Sequence, residues 1–564
     1  MLRYSNVQIF KLGLEGIWIT ALTMILLDGV IPGTWPISLL FINAFIVVHF
    51  IFLWRLLARR LIISSIQQKG REKYSKELIK RVVIYGAGAA GSQLLHSLIN
   101  HPLYQIVGLI DDDERTHGLT IEGYKIYTFN HLITLWSQKE FDLVVLAMPS
   151  VSKSIKKTII QRLQALNIPV QTVPSITSLL SGQAQINELR KVNISELLGR
   201  VEVAPRVDLL LKQIQNRVIL VTGAGGSIGS EICRQIMEYQ PRSLVLYELN
   251  EFLLYQIHQE LSEAYPSIDC YPCLGNVGDT AYLTSVLKAH RVEVVYHTAA
   301  YKHVPLLENN VVKAVENNIL GSLSAAHGAI AAAVKEFVLI STDKAVRPTN
   351  IMGTTKRVTE LIVQALAADP KTSTRFAIVR FGNVLGSSGS VIPRFQDQIA
   401  RGGPITLTHP EITRYFMSIP EAARLVIQAS QMATGGEVFL LDMGEPVKIY
   451  DLAVQMIYLN GLQPGKDIDI EVTGLRPGEK LYEELLIAGD QVKPTLHPQI
   501  YCSHEYFIPW PELEAALANL KGYVDCQDIS ALKRLLKGLV PEYKIPDHQR
   551  SLRVVRPSVN PETA

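Results

Sequence analysis

Apolar runs of two lengths punctuate this chain. The longest, Trp35 to Trp54, is 20 residues without Asp, Glu, Lys or Arg, and Arg55, Arg59 and Arg60 follow at once. That is close to the ~20 residues a helix needs to cross a bilayer. Trp at each end suits the interfaces, and the basic flank suits a cytoplasmic exit. Leu12 to Val30 is a weaker run, broken by Glu15 and Asp28, and the loop from Asp28 to Pro36 has neither Lys nor Arg, as the outer turn of a hairpin would. The second run is too long for a signal peptide, and no small-residue cleavage site follows it. Residues 1–62 are therefore expected to form a transmembrane helical hairpin, with a polar linker at 63–80.

Beyond the linker the apolar runs shrink to strand length and alternate with helical periodicity. Arg81 to Tyr85 runs into Gly86-Ala87-Gly88-Ala89-Ala90-Gly91 and a helical pattern through Leu98. Tyr104 to Ile110 ends in Asp111, Asp112 and Asp113, and Phe141 to Met148 repeats the strand pattern. A second series begins with Arg217 to Thr222, continues with Ser243 to Tyr247 and Val292 to His297, and reaches Phe337 to Ile340. Strand, glycine turn and helix in this order belong to α/β folds with parallel sheets. The expected architecture is α/β: the hairpin, then two Rossmann-like, doubly wound parallel-sheet domains at 81–200 and 211–500, then a C-terminal segment at 501–564.

Charge is nearly balanced, 55 Lys+Arg against 52 Asp+Glu over 564 residues, so nucleic acid is not an expected partner. Five cysteines make no disulfide framework in a chain this long. Cys270 and Cys273 form a C-x-x-C, but within an apparent strand and without catalytic context. No metal site and no fixed-period repeat are expected.

Candidate chemistry concentrates after Thr222. Gly223 permits a sharp turn, Gly225, Gly226, Ser227 and Ile228 bring backbone N–H groups towards a pyrophosphate, and Gly229 allows close helix packing. Glu248 ends the next strand, placed to accept from both ribose hydroxyls; an acid there repels a 2′-phosphate, which favours NAD over NADP. Asn276 and Val277 are placed to flank adenine, and the small Ala299 and Ala300 let backbone lie along the cofactor. The first glycine turn, with Asp111, Asp112 and Asp113 about where a ribose-binding acid would sit, is open to nucleotide binding or to tight strand–helix packing alone, and is followed by no catalytic residues. Thr342, Asp343 and Lys344 put a hydroxyl, a carboxyl and an amine at the end of one apolar run, and an acid beside a base suits an elimination. Asn383, Arg414 and Arg476 stand on separate polar loops, where arginines suit a diphosphate.

Six segments carry a resemblance: TGAGGSIGSE from Thr222, AAYKHVPL from Ala299, STDKAVRPTNIMG from Ser341, RFGNVLGSSGSV from Arg380, THPEITRYFM from Thr408 and GLRPGEKLYEEL from Gly474. The chain resembles the membrane-bound UDP-N-acetylglucosamine 4,6-dehydratases of bacterial polysaccharide and protein-glycan synthesis, which are extended short-chain dehydrogenase/reductase enzymes. The resemblance implies NAD as cofactor, a UDP-sugar substrate, a lipid bilayer as partner, and a multi-pass place in the bacterial inner membrane with the catalytic domain in the cytoplasm. Assembly as a homo-oligomer is expected. Lys356 matches the lysine that holds the nicotinamide ribose, but Met352 stands where shorter relatives carry Tyr. Asn276 stands where Asp is common. The resemblance further implies Asp343 as acid and Lys344 as base once burial and Lys356 lower its pKa. With no Tyr at 352 the group that deprotonates the C4 hydroxyl is left open, Thr342 relaying to Lys344 or to water being one route. Lys302 and His303 are placed to contact sugar or phosphates, with a structural histidine the alternative for His303. A C4 epimerase and a membrane-tethered nucleotide-sensing regulator are the alternatives.

Overall fold

The computed structural model describes residues 79–173 apart from 100, 102 and 167, then 190–191, 200, 203–484 and 492–545, with Ile46, His49, Phe50 and Leu53. The chain divides into two units, Met1–Ser150 with Ile168–Lys191 and Val151–Asn167 with Val192–Ala564.

The first unit is built on β1 (Lys80–Tyr85), β2 (Tyr104–Ile110), β3 (Thr120–Ile121), β4 (Tyr124–Tyr127), β5 (Leu143–Leu146), β6 (Val170–Thr172) and β7 (Arg190–Lys191), in the sheet order β3-β4-β2-β1-β5-β6-β7. The inner pairs are parallel, and only β3 and β7 run antiparallel to their neighbours. Val82, Val83 and Ile84 are all buried, which is why this run is continuously apolar rather than alternating. Helix α1 (Ala89–Ile99) follows the glycine turn. A Cβ at Gly91 would lie 1.9 Å from the Gly86 carbonyl oxygen, so this glycine is needed for close packing. Asp111 accepts from the Ala87 N–H at 2.7 Å and the Asp113 N–H at 2.9 Å, bracing the turn.

The second unit holds the larger sheet: β8 (Val218–Thr222), β9 (Ser243–Glu248), β10 (Asp269–Leu274), β11 (Val294–His297), β12 (Glu336–Thr342), β13 (Arg375–Phe381), β14 (Val438–Leu441), β15 (Val492–Pro494) and β16 (Ile500–Ser503). Its order is β10-β9-β8-β11-β12-β13-β14-β16-β15. The seven strands from β10 to β14 are parallel, and β16 and β15 close one edge antiparallel. The winding reverses between β8 and β11, and a crevice opens beyond the carboxyl ends of the strands at such a switch point. Helix α2 (Ser227–Glu238) leaves β8, and α3 (Ile351–Ala368) follows the segment after β12. Residues 510–539, expected only as part of a C-terminal segment, supply α4 (Trp510–Asp525) and α5 (Ile529–Leu539). Leu513, Leu517 and Leu520 from α4 and Leu532 and Leu536 from α5 share one core with Val358, Leu361 and Ile362 of α3.

The membrane expectation is corrected. Residues 12–30 and 35–54 lie outside the described residues except for Ile46, His49, Phe50 and Leu53. Among the described residues no helix is long and apolar enough to cross a membrane, so the multi-pass placement is not retained; the hairpin itself falls outside the described residues. The 18-residue α3 has the length, but it carries Lys356, Arg357 and Glu360 and spends its apolar side chains on the core. The Cys270 and Cys273 thiols lie on edge strand β10 and are free; burial pushes both pKa values up, Cys270 to about 12, which opposes a redox thiolate.

Candidate active site

A cleft of about 950 Å³ opens along the ends of β8 to β13. Its walls include Gly223, Gly225, Gly226, Ser227, Ile228, Gly229, Glu248, Asn276, Val277, Ala299 and Ala300. They also include Lys302, His303, Thr342, Lys344, Lys356, Asn383, Arg414 and Arg476. Asp343 is absent from the wall. Its residue is 1 % exposed, so it reaches the cleft only through neighbours.

The glycine turn is shaped by close approach. Gly223 has φ +67°, and a Cβ there would meet Ala299 N and Cα at 2.9 Å; one on Gly229 would meet the Gly223 oxygen at 2.1 Å. Glu248 Oε2 accepts from Gly225 N at 3.0 Å, while Oε1 accepts from Leu249 N at 2.9 Å and Asn250 N at 3.0 Å. The same acid therefore fixes the turn and presents a carboxylate to the cleft. A narrow backbone cradle at the start of α2, with an acid at the end of β9 and small residues after β11, fits a dinucleotide with a free ribose.

Beneath this floor His297 bonds Thr222 Oγ1 and Ser322 Oγ, each at 2.8 Å. Burial and the charge of Lys356 push its pKa down to about 3, so it stays neutral. Asn318, on a π-helical turn at 315–320, holds both the N–H and the carbonyl of Tyr301 and donates to Thr355 Oγ1 at 3.0 Å. Nothing in the sequence pattern singled it out.

At the end of β12, Thr342 Oγ1 donates to Asp343 Oδ1 at 2.8 Å, and Lys344 Nζ donates to the same oxygen at 3.0 Å and to Asn383 Oδ1 at 2.9 Å. Asp343 Oδ2 is buried with no hydrogen-bond partner among the described residues. Burial pulls the Lys344 pKa down, but the Asp343 and Glu483 carboxylates outweigh it and the net direction is upward. The expected lowering is thus corrected, because two buried acids face this amine rather than one. Lys356 behaves oppositely: burial takes it down to about 8, against a weaker pull from Glu360.

The arginines divide. Arg476 is exposed on its turn, whereas Arg414, 8 % exposed, donates to the carbonyls of Thr413, Lys480 and Leu481 at 2.7, 2.8 and 3.2 Å. Arg394, not anticipated, also lines the cleft. Ser388 N donates to Ser227 Oγ at 3.3 Å, and a Cβ on Gly389 would lie 2.4 Å from His303 Cε1, so the 387–390 loop covers both.

Lys356 yields a prediction about stability. Its folded pKa of about 8 lies below the ordinary 10.5, so the penalty for its buried charge is full below pH 8 and fades as pH rises through that window. Lys356→Met should therefore stabilise the cofactor-free protein at pH 7, by on the order of 1–3 kcal/mol. Thermal unfolding at pH 7 and 9.5 would show the gap between variant and wild type narrowing at the higher pH.

Fold and cleft are those of an extended short-chain dehydrogenase/reductase. The profile of the polysaccharide biosynthesis protein family matches residues 219–505, and that of the C2185-like N-terminal family matches 78–168. The chain is 43% identical over 451 residues to the capsular polysaccharide biosynthesis protein CapD of Staphylococcus aureus, covering 79% of this chain and 72% of that one. It is 32% identical over 279 residues to a UDP-N-acetylglucosamine 4,6-dehydratase (inverting) of Campylobacter jejuni, covering 48% and 78%. A UDP-glucose 4-epimerase of Rickettsia canadensis is 31% identical over 287 residues, covering 49% and 80%. The chain belongs to the polysaccharide biosynthesis protein family, among the nucleotide-sugar dehydratases and epimerases.

Proposed function

We propose that this protein catalyses the NAD-dependent 4,6-dehydration of UDP-N-acetylglucosamine to a UDP-4-keto-6-deoxy sugar for bacterial surface polysaccharide or glycan synthesis. The observation that carries it is the Thr342–Asp343–Lys344 cluster at the cleft, beside a Met352 that can hold no proton. An epimerase has no need of an acid and a base at C5 and C6.

Bound NAD would accept hydride from C4 and return it to C6. The residues supply everything else. Glu248 would take the adenosine ribose, the 223–229 turn the pyrophosphate, and Lys356 the nicotinamide ribose. Asn383, Arg414, Arg476, Lys302 and His303 would hold the UDP-sugar. Thr342, whose hydroxyl already donates to Asp343, would pass the C4 hydroxyl proton inward, leaving Asp343 neutral. The ketone acidifies the C5 hydrogen, which Lys344, having first released its ammonium proton to solvent, would remove and later restore. Asp343 would return its proton, again through Thr342, to the departing C6 hydroxyl as water. Protons then balance over the cycle. Neutralising Asp343 also removes one charge that holds the Lys344 pKa up, so the first step prepares the base for the second.

Incubation with UDP-N-acetylglucosamine should give a product lighter by one water, with the enzyme's NAD recycled and no stoichiometric NADH. An unchanged mass with altered C4 configuration would favour the epimerase, and accumulated NADH would exclude an internal hydride cycle.

A further inference from the structure

Glu483 belongs to the 474–485 motif but has no role in the scheme above. Its residue is 8 % exposed, Oε1 lies 3.7 Å from both Lys344 Nζ and Arg414 Nε, and Oε2 is buried without a hydrogen-bond partner among the described residues. Buried carboxylates are ordinarily satisfied by donors at about 2.7–3.0 Å. This one stands back from two cations and closes on neither.

Its neighbours are otherwise engaged. Glu479 faces Arg414 at 3.7 Å and accepts from Thr408 at 3.2 Å. Glu484 pairs with Arg347 at 3.0 Å and lies 3.9 Å from Lys480, whose Nζ donates to the Val346 carbonyl. Around Lys344 the facing groups are Asp343 from the end of β12, the Asn383 amide, Glu483, and Arg414 as the opposing cation. Of the acids on this segment, Glu483 is the one that reaches Lys344.

We propose that Glu483 is a positioning residue, holding the Lys344 amine between Asp343 and Asn383 and governing its proton exchange at the floor of the cleft. Its part in turnover rests on the dehydratase reading above, but its effect on Lys344 does not. A carboxylate held off at ion-pair rather than hydrogen-bond distance biases the charge of Lys344 without blocking the amine. A purely structural acid would instead be expected to close on its donors.

Two measurements test this. The first is acetylation of Lys344 by acetic anhydride across a pH series, read by peptide mass spectrometry in the cofactor-free protein. Glu483→Gln keeps the size and removes the charge, so the labelling midpoint should fall by about one pH unit. Glu483→Asp keeps the charge but withdraws it by one methylene and should give a smaller fall. The second is the pH–rate profile with UDP-N-acetylglucosamine, whose rising limb should move to lower pH by the same amount, with KM changing far less than kcat. An unchanged midpoint in Glu483→Gln, or equal shifts in both variants, would overturn the proposal. If Glu483→Gln is not recovered folded, Glu483→Asp decides: a lowered midpoint sustains the proposal and an unchanged one overturns it. Wild-type protein that fails to dehydrate the substrate would sink the dehydratase reading, while the labelling midpoint would still decide the role of Glu483.

Discussion

Asp343→Asn and Lys344→Ala should each lower turnover by ~10²–10⁴-fold while leaving UDP-sugar binding largely intact, since general acid–base groups contribute on that scale. The amide at 343 still fits the buried site, but it can neither receive the Thr342 proton nor return it. The two losses should differ in kind. Lys344→Ala should still oxidise C4, seen as a transient NADH absorbance in a single turnover, yet fail to exchange the C5 hydrogen with solvent. Asp343→Asn should be slow before any NADH forms, because the proton from the C4 hydroxyl has nowhere to go. Met352→Tyr should cost comparatively little, since position 352 bears no proton in this scheme. Near-normal C5 exchange in Lys344→Ala would place the base elsewhere.

Arg380→Met should destabilise the protein by roughly 3–5 kcal/mol, the usual cost of breaking a buried ion pair from one side. Arg380 is 1 % exposed and bonds Glu360 at 2.6 and 2.7 Å and Glu505 at 2.7 Å, while Arg357 reaches the same two acids at 3.1 and 2.9 Å. Two cations and two anions cancel in the interior, and Glu360 also accepts from Ser341 at 2.6 Å, one residue before Thr342. Burial pushes the Glu360 pKa up, but Arg380 and Arg357 bring it down to about 2. The stability this provides is present above about pH 4.5 and is lost as pH falls towards 2. Without Arg380 two buried carboxylates share one guanidinium. Urea unfolding at pH 7 should show the loss, and acid unfolding should begin at higher pH. A change under 1 kcal/mol, on a scale where surface substitutions give about half that, would mean the tetrad is incidental.

Much of the catalytic unit could be read in the chain because its signals are local. The 217–222, 243–247 and 337–340 runs became β8, β9 and β12 with only end residues changed, since buried parallel strands are continuously apolar. The glycine turn carries its own geometry within seven residues. The charge state of Lys344 could not be read, because Asp343 adjoins it but Glu483 comes 139 residues later in sequence (483 − 344). The Glu360–Arg380–Glu505 cluster was hidden for the same reason: Arg380 and Glu505 are 125 residues apart and only the fold joins them. The two C-terminal helices were passed over although Leu513, Leu517 and Leu520 repeat at helical spacing. The long apolar run at Trp35–Trp54 lies outside the described residues apart from Ile46, His49, Phe50 and Leu53.

The most direct measurement follows one hydrogen. UDP-N-acetylglucosamine carrying deuterium at C4 should be incubated with the enzyme in ordinary water and the product examined by NMR. The account predicts loss of one water and deuterium moved from C4 to C6. Deuterium retained at C4 with inverted configuration and no loss of water would contradict it.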